Sequence, residues 1–352
     1  MTPLSAILAA RIRVGGPMGL DEYMQTCLLH PDHGYYATRD PFGRAGDFIT
    51  APEIHQMFGE LCGLALAQAW LDQGSPAPFT LAEVGPGRGT LMADMLRAIR
   101  VVPGMIDAAE VTLIEASAHL RTVQRDRLRD VRHLDSVEDL PHKPLFLIAN
   151  EFFDALPIRQ LQAVAGGWAE RMVTLRDGRL ALALAPVALA RPPAPPGVVV
   201  EVCPSATGIM GAIAGRIAAH GGAALVIDYG GWDGRGDTFQ ALRGHAPDDP
   251  FAHPGRADLT AHVDFAPLAR AARAAGAEVS ALATQGQWLL SLGAAQRAAR
   301  LAAAGDGRAA AALNRLTAPA EMGQLFKVLA VWPKDAPPVP GTKVLDADAD
   351  DA

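Results

Sequence analysis

The sequence predicts an α/β protein with a mostly parallel sheet covered on both faces by helices. Short apolar runs alternate with segments of helical periodicity. One run passes through a glycine-rich turn directly into a helix, and several others end on a carboxylate. In a sheet of this kind ligands gather at the carboxyl ends of the strands, so these endings are the first places to look for chemistry.

Taken in order, "EIHQMFGELCGLALAQAWL" (53–71) has the spacing of an amphipathic helix. "FTLAEV" (79–84) reads as a strand and "TLMADMLRAIR" (90–100) as the helix after it. "EVTLIE" (110–115) is a second strand, followed by the helix "SAHLRTVQRDRL" (117–128) with Ser117 as N-cap. "PLFLIA" and "GGAALVIDYG" (221–230) are further buried strands. Residues 158–184 suggest a hairpin turning at "RDGR", and the proline-rich 185–197 a loop or stiff spacer. Residues 230–265, rich in Gly, Asp and His, are too long for a simple connection and read as a lid, a binding loop or disorder. Residues 333–352 read as a frayed acidic tail.

Half of the 352 residues are hydrophobic and a fifth are charged, as in a globular protein, and the net charge of −7 argues against a general nucleic-acid binder. No apolar run reaches the roughly 18 residues of a membrane span. Cys27, Cys62 and Cys203 are scattered without CxxC spacing, which fits a reducing compartment and gives neither a disulfide framework nor a metal site. The start of the chain lacks a signal peptide's order of charges before an apolar core and is read as untargeted.

"LAEVGPGRGTL" (81–91) carries the strongest local signal. Gly85, Gly87 and Gly89, with Pro86 between them, let the backbone turn tightly and approach a ligand before the helix begins. The spacing is GxGxG, and Glu83 precedes it; a dinucleotide's pyrophosphate would be repelled by that acid. Glu115, ending the next strand, is placed to accept both ribose hydroxyls of a nucleoside. Together these residues fit S-adenosylmethionine (SAM) better than NAD. Asp135 and Ser136, after a short third strand, should face the adenine or form a solvated turn. Asp228 and Tyr229 end the strand "LVIDYGG" and are candidate substrate contacts, with a loop-ordering role as the alternative. The histidines and acids of 245–264 match no metal-ligand spacing, and no metal is expected.

The segments "GYYATRDPFGRAGDFITAPEIHQMFGE" (34–60), "EVGPGRGTL", "ANEFFDALP", "VIDYG" and "MGQLFKVLAV" (322–331) together resemble the family of SAM-dependent methyltransferases that includes MidA, the mitochondrial complex I assembly factor. The resemblance runs from about Gly19 to Val331. It implies a seven-stranded Rossmann-like methyltransferase sheet with a helical N-terminal region (1–75) packing on the cofactor site. The methyltransferase domain would span 76–332, with insertions near 158–200, 230–265 and 285–320. It also implies that Phe48 and Thr50 of "GDFITAPE" contact the cofactor, and that His262 lies in a substrate loop. The implied activity is symmetric dimethylation of an arginine on the 49-kDa-type subunit of complex I (NADH-quinone oxidoreductase). The implied compartment is a bacterial cytoplasm, or the mitochondrial matrix if the source is eukaryotic. Whether the chain forms a homodimer is left open.

"ANEFFDALP" then acquires a chemical reading. A guanidinium stays protonated with its lone pair delocalised, and a bidentate carboxylate can pin it and leave one nitrogen more nucleophilic. Glu151 is the expected clamp, Asp154 its partner or eventual proton acceptor, and Asn150 a holder of the methionine amino group or the substrate backbone. The phenylalanines would keep water out. Nucleobase methyltransferases end this strand in (D/N)PP(Y/F), whose prolines are missing here. Two alternatives remain: a methyltransferase acting on a small-molecule or nucleobase amine, and a SAM-binding assembly chaperone with little turnover.

Overall fold

The computed structural model describes residues 2–38, 50–188 and 191–345. They group into two units: one drawn from Met1–Phe48, Asp154–Ala206 and Asp233–Asp264, the other from Ile49–Phe153, Thr207–Trp232 and Phe265–Ala352.

The larger unit holds the predicted sheet. Its seven principal strands are β1 (Phe79–Val84), β2 (Ala109–Ile114), β3 (Arg132–Leu134), β4 (Leu145–Asn150), β5 (Gly222–Gly231), β6 (Glu278–Val279) and β7 (Phe326–Trp332), in spatial order β3-β2-β1-β4-β5-β7-β6. The first five are mutually parallel, whereas β7 runs antiparallel to both β5 and β6. The order in which successive strands are added reverses between β1 and β4, which makes the edge above them the topological switch point where ligands bind. Every residue of β1 and β4 is buried, which explains why these strands read as continuous apolar runs rather than alternating ones.

The expected helix over 53–71 breaks at His55, whose extended backbone separates Ala51–Ile54 from α1 (Gln56–Asp72). The His55 ring then caps α1 by accepting from the Met57 amide at 3.1 Å. Twelve residues of α1 are buried, so it is a core helix rather than a surface one. It packs against α2 (Thr90–Ile99) so closely that a Cβ on Gly63 would stand 2.9 Å from the Met95 Cα. Ser117 caps α3 (Ala118–Leu128) as expected, accepting from Leu120 N–H at 3.3 Å. Residues 285–317, predicted as an insertion, form three helices of this unit. The expected frayed tail is packed as far as residue 345. Val339 is buried, Trp288 Nε1 donates to Pro340 O at 3.0 Å, and Leu345 N–H donates to Val279 O at 2.9 Å.

The smaller unit gathers what the sequence presents as three separate segments. Strands Gly167–Arg176 and Arg179–Pro186 form the predicted hairpin, with Asp177 and Gly178 at φ 51° and 75° supplying the turn. Met18–Gly19, Arg159–Val164 and Val199–Val202 complete an antiparallel sheet around it. The segment 230–265 contains regular structure. Gln240–Arg243, Ala246–Asp248 and Asp258–Thr260 form a second small sheet, and Leu259 and Ala261 enter a core with Leu4, Leu8, Tyr23 and Met24 of the N-terminal helices. The N-terminal region is thus divided, with residues 2–38 in this unit and 50–75 in the larger one.

Candidate active site

At the end of β1 the chain turns through Gly85 (φ 64°), Gly87 (φ 51°) and Gly89 (φ 73°), and the last is the left-handed N-cap of α2. A Cβ on Gly85 would lie 3.0 Å from the Phe152 ring, on a backbone whose positive φ already favours glycine. Glu83, one residue inside the strand, is buried. Burial pushes its carboxyl well above the usual carboxylate range, opposed by a hydrogen bond from the Met92 amide in the first turn of α2. Its Oε2 has no partner among the described residues.

Glu115, at the end of β2, uses one oxygen to accept from Ser117 N–H at 2.7 Å and the other to accept from Gln124 Nε2 at 3.2 Å. Burial raises its carboxyl, while the Ser117 amide, Gln124 and Arg121 pull it down. Gln124 is the residue that sequence reasoning missed. Fully buried on α3, its Nε2 also donates to Gly87 O at 2.7 Å, and its Oε1 lies 2.8 Å from His133 Nε2 on β3. With the amide so oriented, His133 donates from Nε2, and burial followed by Arg125 and Arg121 lowers its ring pKa. A single amide thereby ties the glycine turn, the ribose-position acid and the third strand together. Its only sequence signal is that it sits four residues after the buried Leu120, on the same helix face.

Arg121 donates to the carbonyls of Glu115 and Leu134 and pairs with Asp135. Asp135, expected at the adenine, is thus an exposed ion-pair partner, and Ser136 donates to the Glu138 carboxylate at the start of a short turn. Thr50 is buried as the residue before the helix Ala51–Ile54, and its carbonyl accepts from Glu53 N–H at 2.9 Å. Glu53 in turn accepts from Thr90 Oγ1 at 2.6 Å, at the exit of the glycine turn. Phe48 lies outside the described residues.

At the end of β4, Glu151 adopts φ +51°, the left-handed region, unusual for a residue with a side chain. Its Oε1 accepts from Ala51 N–H at 3.0 Å and from Asn150 Nδ2 at 3.1 Å. Asn150 is buried, and its Oδ1 is an acceptor with no partner among the described residues. Asp228, fully buried at the neighbouring strand end, accepts through Oδ2 from the amides of Phe152 (3.2 Å) and Phe153 (3.0 Å). Its Oδ1 accepts from Tyr229 N–H at 2.9 Å. The loop-ordering alternative describes these bonds; in them Asp228 faces the turn after Glu151. Tyr229 packs edge-on against Phe326, 5.4 Å between centroids.

Two predicted residues belong to the smaller unit. Asp154 is buried there, its carbonyl accepting from Ala261 N–H at 3.0 Å. Nearby, the Tyr36 hydroxyl donates to Asp258 at 2.8 Å, and burial followed by Asp258 and Asp154 drives the tyrosine pKa well above its usual value. His262 is exposed, with its amide bonded to Thr238 Oγ1 at 2.8 Å. Among the described residues no group of three His, Cys, Asp or Glu side chains is arranged to hold a metal ion, and no helix is long and apolar enough to cross a membrane.

The order β3-β2-β1-β4-β5-β7-β6 with antiparallel β7, the cradle of Gly85, Gly87 and Gly89, and the buried acids Glu83 and Glu115 define a Rossmann-like SAM-dependent methyltransferase. The chain belongs to that class by descent as well: residues 61–283 match the model of an S-adenosyl-L-methionine-dependent methyltransferase family, and this protein is a member of it. It is 36% identical over 309 residues to human mitochondrial protein arginine methyltransferase NDUFAF7, a match covering 78% of this chain and 69% of that protein. Its identity to the Drosophila melanogaster homologue of NDUFAF7 is 35% over 374 residues, 94% of this chain and 85% of that one. A Burkholderia thailandensis protein crystallised with S-adenosyl-homocysteine superposes with a TM-score of 0.84 at 32% identity, covering 96% of this chain and 93% of that chain.

The residues present fit S-adenosyl-L-methionine. The unpartnered Oε2 of Glu83 offers a buried acceptor, and the glycine turn gives close backbone approach beside Glu115.

Proposed function

We propose that this methyltransferase acts on a protein arginine, with symmetric dimethylation of a complex I subunit as its reaction and Glu151 as the group that holds the guanidinium. The observation that carries the reading is the end of β4. There a carboxylate fixed by Ala51 N–H and Asn150 Nδ2 stands beside the buried, unpartnered acceptor Asn150 Oδ1. A guanidinium is all donor, with five N–H groups in a planar fork, and a carboxylate next to an amide oxygen is an acceptor set suited to it. The relatives named protein arginine methyltransferase support the same assignment.

S-adenosyl-L-methionine supplies the methyl group as a sulfonium. Glu83, the glycine turn and Glu115 are the residues that would hold it. Glu151 localises the guanidinium charge on the nitrogens it binds, leaving the remaining nitrogen more nucleophilic, and Asn150 Oδ1 fixes the plane of the group. Phe152 and Phe153 pack edge to face, 5.2 Å between centroids, in the turn that follows Glu151. Three free cysteines fit a reducing compartment and support a bacterial cytoplasm or a mitochondrial matrix as the setting of the reaction.

Incubation with methyl-labelled cofactor and purified complex I subunits, followed by fragmentation mass spectrometry, tests the reading. The expected label lies on an arginine and falls at least about 100-fold with Glu151→Gln, the size of effect seen when a positioning contact is lost. Label on lysine or RNA, or label indifferent to Glu151, rejects it.

A further inference from the structure

We infer that Asp228 is a positioning residue for methyl transfer, acting through Glu151 rather than on the substrate; this rests on the catalytic reading of Glu151 given above. Glu151 holds its side chain in place from a left-handed backbone, φ +51°. A non-glycine residue there is strained and persists only when its surroundings over-determine it. The surroundings are a belt of hydrogen bonds from β5. Before the turn, Asn150 pairs with Ile227 in the parallel ladder, and Glu151 N–H donates to Ile227 O at 2.9 Å. After it, the next two amides, Phe152 and Phe153, converge on one oxygen of the following residue, Asp228.

Two consecutive amides aimed at one buried carboxylate oxygen form an anion nest made by the chain for its own turn. The other oxygen accepts from Tyr229 N–H, so backbone amides reach both oxygens of the carboxylate. Neither water nor the neutral amide of asparagine reproduces this. Asparagine has one oxygen and one NH2 group, so a donor would face either the Phe152 and Phe153 amides or the Tyr229 amide. The turn would then relax from its left-handed conformation, and Glu151 would lose its register with Ala51 N–H, 3.0 Å away at present. Displacement of a reacting constellation by about 1 Å costs on the order of 10²-fold in rate.

The test is a double-mutant cycle in the full-length protein with an arginine-bearing acceptor subunit. Asp228→Asn should lower kcat about 10- to 100-fold while S-adenosyl-homocysteine affinity by calorimetry stays within about threefold, since Glu83, the glycine turn and Glu115 are untouched. Combined with Glu151→Gln it should add less than about twofold, because both changes remove the same interaction. A wild-type kcat for Asp228→Asn, or a loss that multiplies fully with that of Glu151→Gln, overturns the positioning role alone. A Glu151→Gln variant with wild-type turnover overturns the catalytic reading and this inference with it. Should Asp228→Asn fail to fold, hydrogen exchange on the wild type decides. The Phe152 and Phe153 amides should be protected as strongly as those of β4, and exchange of either at loop rates overturns the inference.

Discussion

Gln124→Glu replaces one buried atom group by another of the same shape and reverses the sense of its hydrogen bonds. In the wild type, Nε2 donates to Gly87 O at 2.7 Å and to Glu115 Oε2 at 3.2 Å. A carboxylate in its place would face a carbonyl and a second carboxylate. At 3.2 Å two unit charges repel by about 5 kcal/mol at an effective dielectric near 20. Keeping the new carboxyl protonated at pH 7, against an unfolded value near about 4.3, costs about 3.7 kcal/mol. Protonation is the cheaper course, so the buried pair shares one proton at neutral pH and releases it only near about pH 8. The sign follows: the folded pKa is raised, the native state binds the extra proton, and stability falls as pH rises. The variant should match the wild type near pH 4.5 to 5 and lose about 1.4 kcal/mol per pH unit up to about pH 8. Urea unfolding at pH 5, 6, 7 and 8 measures this. Calorimetry with S-adenosyl-homocysteine should show affinity falling over the same range, because the glycine turn and Glu115 lose their common tie. A deficit equal at pH 5 and pH 8, or none at either, would refute the reasoning.

Glu83→Gln should raise the melting temperature of the cofactor-free protein at pH 8, because the buried acid has a raised pKa and costs stability above its unfolded value. The gain should shrink toward pH 5, while cofactor affinity drops about tenfold or more with the loss of a charged acceptor; a variant less stable at pH 8 contradicts it. His55→Ala removes the cap on Met57 N–H and the 2.9 Å contact to Asp306, at about 1–2 kcal/mol in urea unfolding. His55→Asn should recover part of that loss, and equal losses for both would show that the ring packs rather than caps.

The sheet was legible because its strands are buried on both faces. "PLFLIA" and "FTLAEV" admit no other reading once helices lie between them. The smaller unit was legible in its hairpin at "RDGR" but not as a unit. Its core joins Leu4, Leu8 and Tyr23 to Leu259 and Ala261 across more than half the chain, and pairings so distant in sequence leave no local period. For the same reason residues 240–260 read as a loop although they form short strands. The acids show the limit most clearly. Glu83, Glu115, Glu151 and Asp228 all end apolar strands and look equivalent as sequence. Their neighbours separate them: Met92 N–H and an unfilled oxygen for Glu83, Ser117 and Gln124 for Glu115, a helix amide for Glu151, two turn amides for Asp228. Gln124 drew no notice because glutamine on a helix ordinarily faces solvent.

The left-handed backbone of Glu151 separates what its conformation costs from what its charge does. Glutamine at 151 keeps an oxygen to accept from Ala51 N–H and Asn150 Nδ2 but removes the charge, so stability should change by less than about 1 kcal/mol while turnover collapses. Glycine at 151 relieves the positive φ, worth about 1 kcal/mol, yet strips the Ala51 amide of its acceptor, a loss of similar size. The two terms nearly cancel, and Glu151→Gly should unfold within about 1 kcal/mol of the wild type in urea. Two variants of near-native stability would then differ in one respect: glutamine retains the fixed geometry and glycine loses it. If charge alone pins the guanidinium, both should be equally inactive. If position contributes separately, glycine should be the worse by about tenfold or more in single-turnover transfer. A glycine variant that transfers methyl groups as fast as the wild type would mean that the strained residue at the end of β4 is a feature of the turn and not of the chemistry.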